Sequence, residues 1–202
     1  MVLRKVSHPY GSVNVKPSIQ ALLERNSAPK LCEPAPSASE IELMLKGALR
    51  APDHARLKPW RFLVIQNEGR EALGEAMCEV AALNADLTEA EAEKIKAKPL
   101  RAPLIICPVV HYTEHPKVPL IEQQLSVGCA VQNILHIADQ LNYGAVWRTG
   151  SITFKPQMGQ RLGLANNEHL LGFIYIGTRN SKAKPLPDLE PQDFILPWPI
   201  DN

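Results

Sequence analysis

The stretch EQQLSVGCAVQNILHIADQLNYGAVWRTG, residues 122–150, decides the fold of this chain. Its first part predicts one long helix over residues 120–141, because apolar side chains recur there at helical spacing. These residues are Ala130, Ile134, Ile137, Ala138 and Leu141. Small residues, Gly128 among them, keep one region of that helix thin, so another helix could approach it closely. Residues 143–147 predict a strand, and the turn at residues 147–150 closes the unit.

Outward from this unit, the sequence predicts three more strands and five more helices. The strands are expected at residues 60–66, 102–112 and 170–176. The helices are expected at residues 18–25, 39–49, 69–83, 157–162 and in the charged run TEAEAEKIKAK from Thr88. Ser37 with Glu40, and Thr88 with Glu91, form capping-box patterns at two helix starts. Four strands among six helices indicate the α+β class.

Composition bounds the classes of protein to which this chain can belong. Its 202 residues, 45% of them hydrophobic, suit one domain with a sizeable core. The 22 basic and 21 acidic residues offer no field for nucleic acid or an anionic membrane surface. The N-terminus lacks the apolar middle of a signal peptide, and no apolar run reaches the roughly 18 residues of a membrane span. We therefore expect a cytoplasmic protein that binds neither nucleic acid nor membrane.

The cysteines and histidines do not predict a metal site. The four cysteines show no CxxC spacing, and three lie among apolar residues of predicted elements, so reduced core thiols are expected. Cys107, His111 and His115 imitate metal-ligand spacing. They fall on a strand and its loop, however, where a period of four does not bring side chains together. We expect no bound metal.

Three basic spots are candidates for one ligand site assembled from distant segments. Arg25, Asn26 and Ser27 could hold a phosphate at a helix end, although a solvated charge at the helix C-terminus explains Arg25 as well. Arg50 and His54 flank a turn bent by Pro52 and could point into a cleft, or lie on an ordinary surface turn.

The third spot is the turn at residues 147–150. Arg148 could stabilise negative charge on a ligand, and the backbone near Gly150 could donate to a ring acceptor. The alternative interpretation is a simple strand end with Trp147 in the core. Neither a GxGxxG motif nor a P-loop occurs in the sequence, so a conventional dinucleotide or NTP domain is excluded.

Six segments in this order resemble the FMN-dependent NAD(P)H nitroreductases, in particular their small single-domain type. The resemblance runs from about Leu22 to Thr178. Its carriers are RNSAPKLCEPAP (25–36), RAPDHARLKPWRFLVI (50–65), LRAPLIICPVV (100–110), EQQLSVGCAVQNILHIADQLNYG (122–144), WRTG (147–150) and LLGFIYIGT (170–178).

The resemblance implies a nitroreductase-like α+β fold, with a central, mostly antiparallel sheet flanked by helices in an intertwined homodimer. Residues 18–202 would form the single domain after an N-terminal extension of residues 1–17. The arm at about residues 180–202, apolar near its end, would pack on the partner subunit. FMN would lie at the interface, with NADH or NADPH as electron donor.

The resemblance also assigns candidate contacts to FMN. Arg25, Asn26 and Ser27 would hold the phosphate and ribityl chain, and Arg50 and His54 would reach the cofactor from the partner subunit. Trp147, Arg148, Thr149 and Gly150 would line the isoalloxazine. No side-chain acid or base is demanded, so we assign no catalytic residue.

The implied activity is hydride transfer from NAD(P)H through FMN to an electron-poor small molecule, such as a nitroaromatic or a quinone, by a ping-pong mechanism. A non-catalytic flavin-binding or flavin-trafficking module is the alternative. It is motivated by Arg56-Leu57-Lys58-Pro59, where the family widely has Asn-x-Gln-Pro, and Pro29 departs from the family's basic opening motif too. A dehalogenating or flavin-degrading enzyme is a third interpretation, since one fold hosts several chemistries.

Overall fold

The computed structural model describes residues 4–8, 11–15, 17–83 and 85–198. The strands are β1 (Arg4–His8), β2 (Gly11–Val15), β3 (Leu31–Cys32), β4 (Trp60–Gln66), β5 (Leu104–His111), β6 (Tyr143–Arg148), β7 (Glu168–Leu170) and β8 (Phe173–Arg179). The helices are α1 (Pro17–Glu24), α2 (Ala38–Ala48), α3 (Glu68–Ala82), α4 (Glu89–Lys96), α5 (Leu120–Gln140) and α6 (Pro156–Arg161). Among the described residues, no helix is long and apolar enough to cross a membrane.

Six strands form one sheet in which every described pairing is antiparallel. β5 pairs with β4 on one side and with β7 and β8 on the other. β8 pairs in turn with β6, and β3 adds a short pairing to β8. The predicted α+β class with a mostly antiparallel sheet is confirmed.

The two faces of the sheet carry two separate apolar cores, because side chains alternate along a strand. On β8, Ile174 and Ile176 face the core that contains α2 and α5. Phe173 and Tyr175 face the core that contains α3 and Met158 of α6. We call these the α5 face and the α3 face of the sheet.

Helix α5 turns directly into β6. The helix ends at Gln140, Asn142 takes a left-handed φ of 66°, and β6 begins at Tyr143. Asn tolerates this conformation better than most residues because its short polar side chain bonds locally. The predicted helix and strand are both confirmed, and the two-residue link fixes the strand relative to the helix.

Some of the other predictions are confirmed and some are wrong. Both capping boxes are confirmed, at Ser37 and at Thr88. The single strand predicted at residues 170–176 is instead β7 and β8, because Gly172 interrupts the run with a φ of 128°. The prediction that the thiols lie in the core holds for Cys107, whose pKa burial raises to about 12, and is wrong for the exposed Cys129.

The two chain ends are described in part. Within the predicted extension, β1 and β2 form an antiparallel hairpin, and residues 1–3, 9–10 and 16 lie outside the described residues. Residues 199–202 of the predicted arm lie outside them as well. In the part of the arm that is described, large apolar side chains are exposed, with Phe194 at 70% and Trp198 at 88%.

Candidate functional site

The turn at residues 147–150 presents different side chains to the two faces of the sheet. Trp147 lies opposite Ile174 and so faces the α5 side, where its indole N–H donates to the Leu171 carbonyl at 3.0 Å. Arg148 lies opposite Phe173 and faces the α3 side. Its guanidinium carbon lies 5.9 Å from the centre of the Tyr175 ring. The two side chains therefore lie on opposite faces of the sheet, although they are neighbours in sequence.

The turn is held rigidly by close backbone packing. Gly150 has a φ of 86°, which L side chains rarely adopt. Gly172 packs against the preceding residues of the turn, and a Cβ on it would meet the Arg148 carbonyl oxygen at 2.6 Å, so only Gly fits there. The Thr153 N–H donates to the Gly150 carbonyl at 3.1 Å. Trp147 is 39% exposed, so the alternative of a strand end with a fully buried Trp147 does not hold.

The segment at residues 25–27 lies beside β6 and the C-terminal half of α5. The Ala28 N–H donates to the Ala145 carbonyl at 2.9 Å. Gly144 permits this approach, since a Cβ there would lie 2.7 Å from the Ala28 Cβ and 2.6 Å from Leu31 Cδ2. Arg25 lies close to His136 of α5. Partial burial, and then the Arg25 charge, lower the pKa of His136, and Asp139 opposes them.

Asn26 ties this segment to the chain beyond β8. Its side-chain oxygen accepts from Arg179 Nη1 at 2.9 Å, and its amide nitrogen donates to the Lys184 carbonyl at 3.2 Å. The segment therefore gathers Arg25, Arg179 and Lys184 in one neighbourhood. Sequence reasoning did not identify Arg179 or Lys184, because both contacts join residues more than 150 positions apart.

The segment containing Arg50 and His54 lies at the other end of α5. His54 Nδ1 is 2.7 Å from a Glu122 carboxylate oxygen. Asp53 accepts hydrogen bonds from the backbone N–H groups of Leu57 at 3.0 Å and Lys58 at 2.9 Å. Arg50 is exposed where the backbone leaves α2. Asp53 is the residue that the sequence reasoning passed over, since its anchoring role depends on backbone donors four and five positions later.

The backbone after His54 is strained. Ala55, Arg56 and Lys58 have φ values of 59°, 57° and 53°, which cost energy for residues other than Gly. Such strain persists where surrounding contacts enforce it, and it occurs often at ligand sites. The Asp53 carboxylate supplies the enforcing contacts here. The loop therefore presents His54 and Arg56 in a fixed arrangement.

Within one chain, the candidate residues are not all brought together. Glu122, which contacts His54, and His136, which neighbours Arg25, are 14 positions apart on α5. At 1.5 Å per helical residue this separates them by about 21 Å. The assignment of all nine residues to one site stays a prediction, and a single chain places them in separate groups.

A cavity of about 400 Å³ lies next to the turn. Its lining includes Thr153, Phe154 and Leu171, and Gln124 of α5. The Phe154 side chain is exposed, whereas Thr153 is buried and its hydroxyl has no hydrogen-bond partner among the described residues. A buried unpaired hydroxyl costs free energy, and Thr153 lies in the wall of this cavity.

Comparison with known proteins places the chain among reductases. The Nitroreductase family pattern matches residues 24–178. YdjA of Escherichia coli (strain K12), provisionally named an NAD(P)H nitroreductase, is 38% identical over 166 residues, which cover 82% of this chain and 90% of YdjA. A nitroreductase-like family protein from Bacillus cereus has a similar fold, with a TM-score of 0.79, 20% identity and coverage of 93% of this chain and 98% of its own. A Desulfovibrio desulfuricans protein crystallised with FMN has a TM-score of 0.66 and 23% identity, over 93% of this chain and 100% of its own.

Proposed function

This chain belongs to the nitroreductase family, and from that premise we propose that it is a flavin oxidoreductase. It binds FMN and transfers a hydride from NADH or NADPH to an electron-poor acceptor such as a nitroaromatic or a quinone. The observation that carries the proposal is the family match over residues 24–178, which contains all three candidate segments in the family's order. FMN, when bound, supplies the hydride-accepting and hydride-donating chemistry at its N5.

The residues at the Arg25 end of α5 fit the phosphate of FMN. The guanidinium of Arg25 can form two parallel hydrogen bonds to a phosphate, and Ser27 adds an exposed hydroxyl. Partial burial and then the Arg25 charge lower the pKa of His136, so the Arg25 charge acts at this point of α5. An anion at this point would offset that charge. Asn26 fixes the segment through its two side-chain hydrogen bonds.

The residues of the turn fit the ring system of FMN. The backbone near Gly150 offers N–H donors, and Trp147 and Thr149 provide exposed surface beside them. The rigid packing of this turn on Gly172 preorganises those donors, which matters because donors fixed in advance cost nothing to reorient.

A homodimer would complete the site. Since about 21 Å of helix separates the His54 end of α5 from its Arg25 end, a two-fold axis crossing α5 would bring one subunit's Arg50 and His54 to the other's Arg25. The exposed apolar side chains of Leu120, Ile121 and Leu125 and the open position at Gly128 suit such a contact. The exposed arm that ends in Phe194 and Trp198 would pack on the second subunit.

The cavity of about 400 Å³ would receive the nicotinamide and then the acceptor. Phe154, whose side chain is exposed, can stack on a planar ring in this cavity. One cavity used in turn by donor and acceptor gives ping-pong kinetics. Positioning supplies much of the rate, so no side chain of this chain has to transfer a proton in the hydride step.

A second candidate is a module that binds or delivers flavin without turnover. The loop at Ala55–Lys58 favours it, because Arg56 and Lys58 add two cations and a strained backbone beside His54. Extra positive charge and a rigid loop could hold FMN while closing the face that a nicotinamide needs.

An anaerobic visible spectrum of the FMN-loaded protein distinguishes the two candidates. NADH and then NADPH are added stepwise, followed by a nitroaromatic or a quinone. The reductase loses its flavin absorbance with at least one donor and regains it with the acceptor. Flavin that is bound but stays oxidised with both donors would favour the binding module, and a protein that retains no flavin would refute both.

A further inference from the structure

A second cavity, of about 460 Å³, lies on the α3 face of the sheet, on the opposite side from α5. Its lining includes three cationic side chains and three residues that carry a hydroxyl, which are Lys98, Arg101, Arg148, Thr149, Ser151 and Tyr175. We call it the basic cavity. None of its lining residues is acidic.

The cations of the basic cavity are uncompensated, in contrast to their neighbours. Lys96 is paired with Glu75 at 3.0 Å, and Arg161 is paired with Glu79 at 2.8 Å. Among the described residues, Lys98, Arg101 and Arg148 have no carboxylate within 4.0 Å. Three like charges around one cavity repel each other, and an anion between them would convert that repulsion into attraction.

The cavity is held in place by close packing. A Cβ on Gly74 of α3 would lie 2.3 Å from the Lys96 carbonyl oxygen, so the chain leading to Lys98 lies directly on α3. Arg70 Nη1 donates to the Ala102 carbonyl at 3.2 Å, which fixes the chain just after Arg101. Arg148 extends from β6 over the ring of Tyr175. Lys98 and Arg101 belong to one short 3-10 turn and Arg148 to β6, so cations from two parts of the chain converge on one cavity.

We propose that the basic cavity binds a phosphate-bearing small molecule. A phosphate group carries up to two charges and several acceptor oxygens, which suits two guanidinium groups, one ammonium group and the nearby hydroxyls of Ser151 and Tyr175. Thr149 and Gly150 also line this cavity. A ligand there would thus contact the same turn that is proposed to contact the flavin.

Two sources can supply such a phosphate. One is the 2′-phosphate or pyrophosphate of the nicotinamide dinucleotide donor, and this source rests on the proposed reductase function. The other is a separate phosphorylated small molecule, which requires no redox activity. Anion binding itself is therefore testable whether or not the protein is a reductase.

The first experiment is a calorimetric titration with inorganic pyrophosphate. It uses the FMN-loaded protein and, in parallel, an Arg25→Ala variant, so that binding at the proposed FMN phosphate site is not counted. We expect the Lys98→Gln/Arg101→Gln double variant to bind pyrophosphate at least about tenfold more weakly, because two charge-assisted contacts are lost. Arg161→Gln, which removes a paired cation close by, is the matched control and should bind as the unmodified protein does.

Absence of pyrophosphate binding in the unmodified protein, or equal binding in the double variant, would overturn the proposal. The second experiment identifies the source by measuring KM for NADPH and for NADH in the double variant. A higher KM for NADPH alone identifies the 2′-phosphate, and a higher KM for both identifies the pyrophosphate. Unchanged KM values together with weakened pyrophosphate binding identify a separate phosphorylated ligand.

Discussion

The two ends of α5 carry different halves of the candidate flavin site. At the N-terminal end, a strained loop held by Asp53 presents His54 beside Glu122. At the C-terminal end, an extended segment pressed against Gly144 presents Arg25 beside His136. The first end offers a directional hydrogen-bonding group and the second offers charge. Because about 21 Å of rigid helix lies between them, neither end can complete a flavin site with the other end of the same helix.

We expect the largest effect on flavin binding when the candidate residues at one end of α5 are replaced, first in separate variants and then in a mixture of the two. Arg25→Ala alone, and Arg50→Ala/His54→Ala alone, should each weaken FMN retention at least about tenfold, because charge-assisted contacts are lost. After the two variants are denatured together and refolded, mixed dimers should each regain one intact site. Random pairing would restore about a quarter of all sites, measured as tightly bound flavin per chain.

Refolding each variant alone is the control for recovery that does not depend on mixing. If the mixture binds no more flavin than the separate variants do, the two ends do not meet across a subunit interface. If Arg50→Ala/His54→Ala retains flavin fully, the N-terminal end is not part of the site.

The next effect concerns the arm that leaves the Arg25 end. The Asn180 N–H donates to the Lys30 carbonyl at 3.0 Å, and Asn26 contacts Lys184, so the arm starts beside this segment. Replacing Phe194 and Trp198 by Ser should raise the dimer dissociation constant about a hundredfold, if both rings are buried in the partner. Sedimentation equilibrium gives this constant.

Leu83→Ser is the matched control for the arm, because Leu83 is also an exposed apolar residue and directly follows α3. It should leave the dimer unchanged. A dimer that persists with its normal constant in the Phe194→Ser/Trp198→Ser variant would show that the two ends of α5 are joined without the arm.

We expect a smaller effect from a substitution that disturbs only the C-terminal end of α5. Gly144→Ala would force its new Cβ against Ala28 and Leu31, so we expect a loss of about 1–3 kcal/mol in the free energy of unfolding. FMN affinity should fall with it, because the Arg25 segment shifts. Denaturant unfolding and flavin titration measure the two quantities.

Gly159→Ala is the control for this substitution, because its Cβ would make only ordinary contacts, 3.7 Å or more from Leu164. Normal stability and normal FMN affinity in Gly144→Ala would contradict the view that Gly144 positions the Arg25 segment.

The smallest expected effect is a pH dependence at the C-terminal end. Burial and Arg25 lower the pKa of His136 below its ordinary value of 6.5, so the unfolded chain takes up this proton more readily than the folded one. Stability from this group is present above pH 6.5 and is lost as the pH falls through the lower folded pKa. A His136→Gln variant should lose less stability on acidification than the unmodified protein.

Denaturant unfolding at a series of pH values tests this difference. Bound FMN should also raise the pKa of His136 in an NMR titration, since the phosphate would offset the Arg25 charge. A His136 pKa that FMN leaves unchanged would indicate that the phosphate lies elsewhere.

The sequence predicted the elements whose physical signals are local. The α5–β6 unit and both capping boxes depend on spacing within one or two turns, and all three are confirmed. The break at Gly172 was missed, because its cause is the close approach of Arg148 and Trp147 from β6. The two-residue strand β3 was missed for a similar reason, since its pairing partners, Thr178 and Arg179, lie far along the chain.

In the candidate site, too, local features were predicted and contacts between distant residues were not. Alternation along β6 predicts that Trp147 and Arg148 face opposite sides, but the pairing register with β8 is needed to assign each side to a core. The sequence therefore placed both side chains at one ligand. In the structure the Arg148 side chain lines the basic cavity and the Trp147 side chain lies on the α5 face. That both contact the flavin stays a prediction. The anchoring roles of Asp53 and Asn26 likewise depend on partners that only folding brings near.

The length of α5 restricts where insertions and deletions can be tolerated during evolution. One residue inserted anywhere in the helix would advance everything beyond it by 1.5 Å and rotate it by about 100°, moving β6 and its turn as well. Substitutions on the outer surface of the helix, by contrast, leave that spacing intact. Among divergent relatives, insertions and deletions should accumulate near the chain ends and around α4, and should be absent between Leu120 and Arg148.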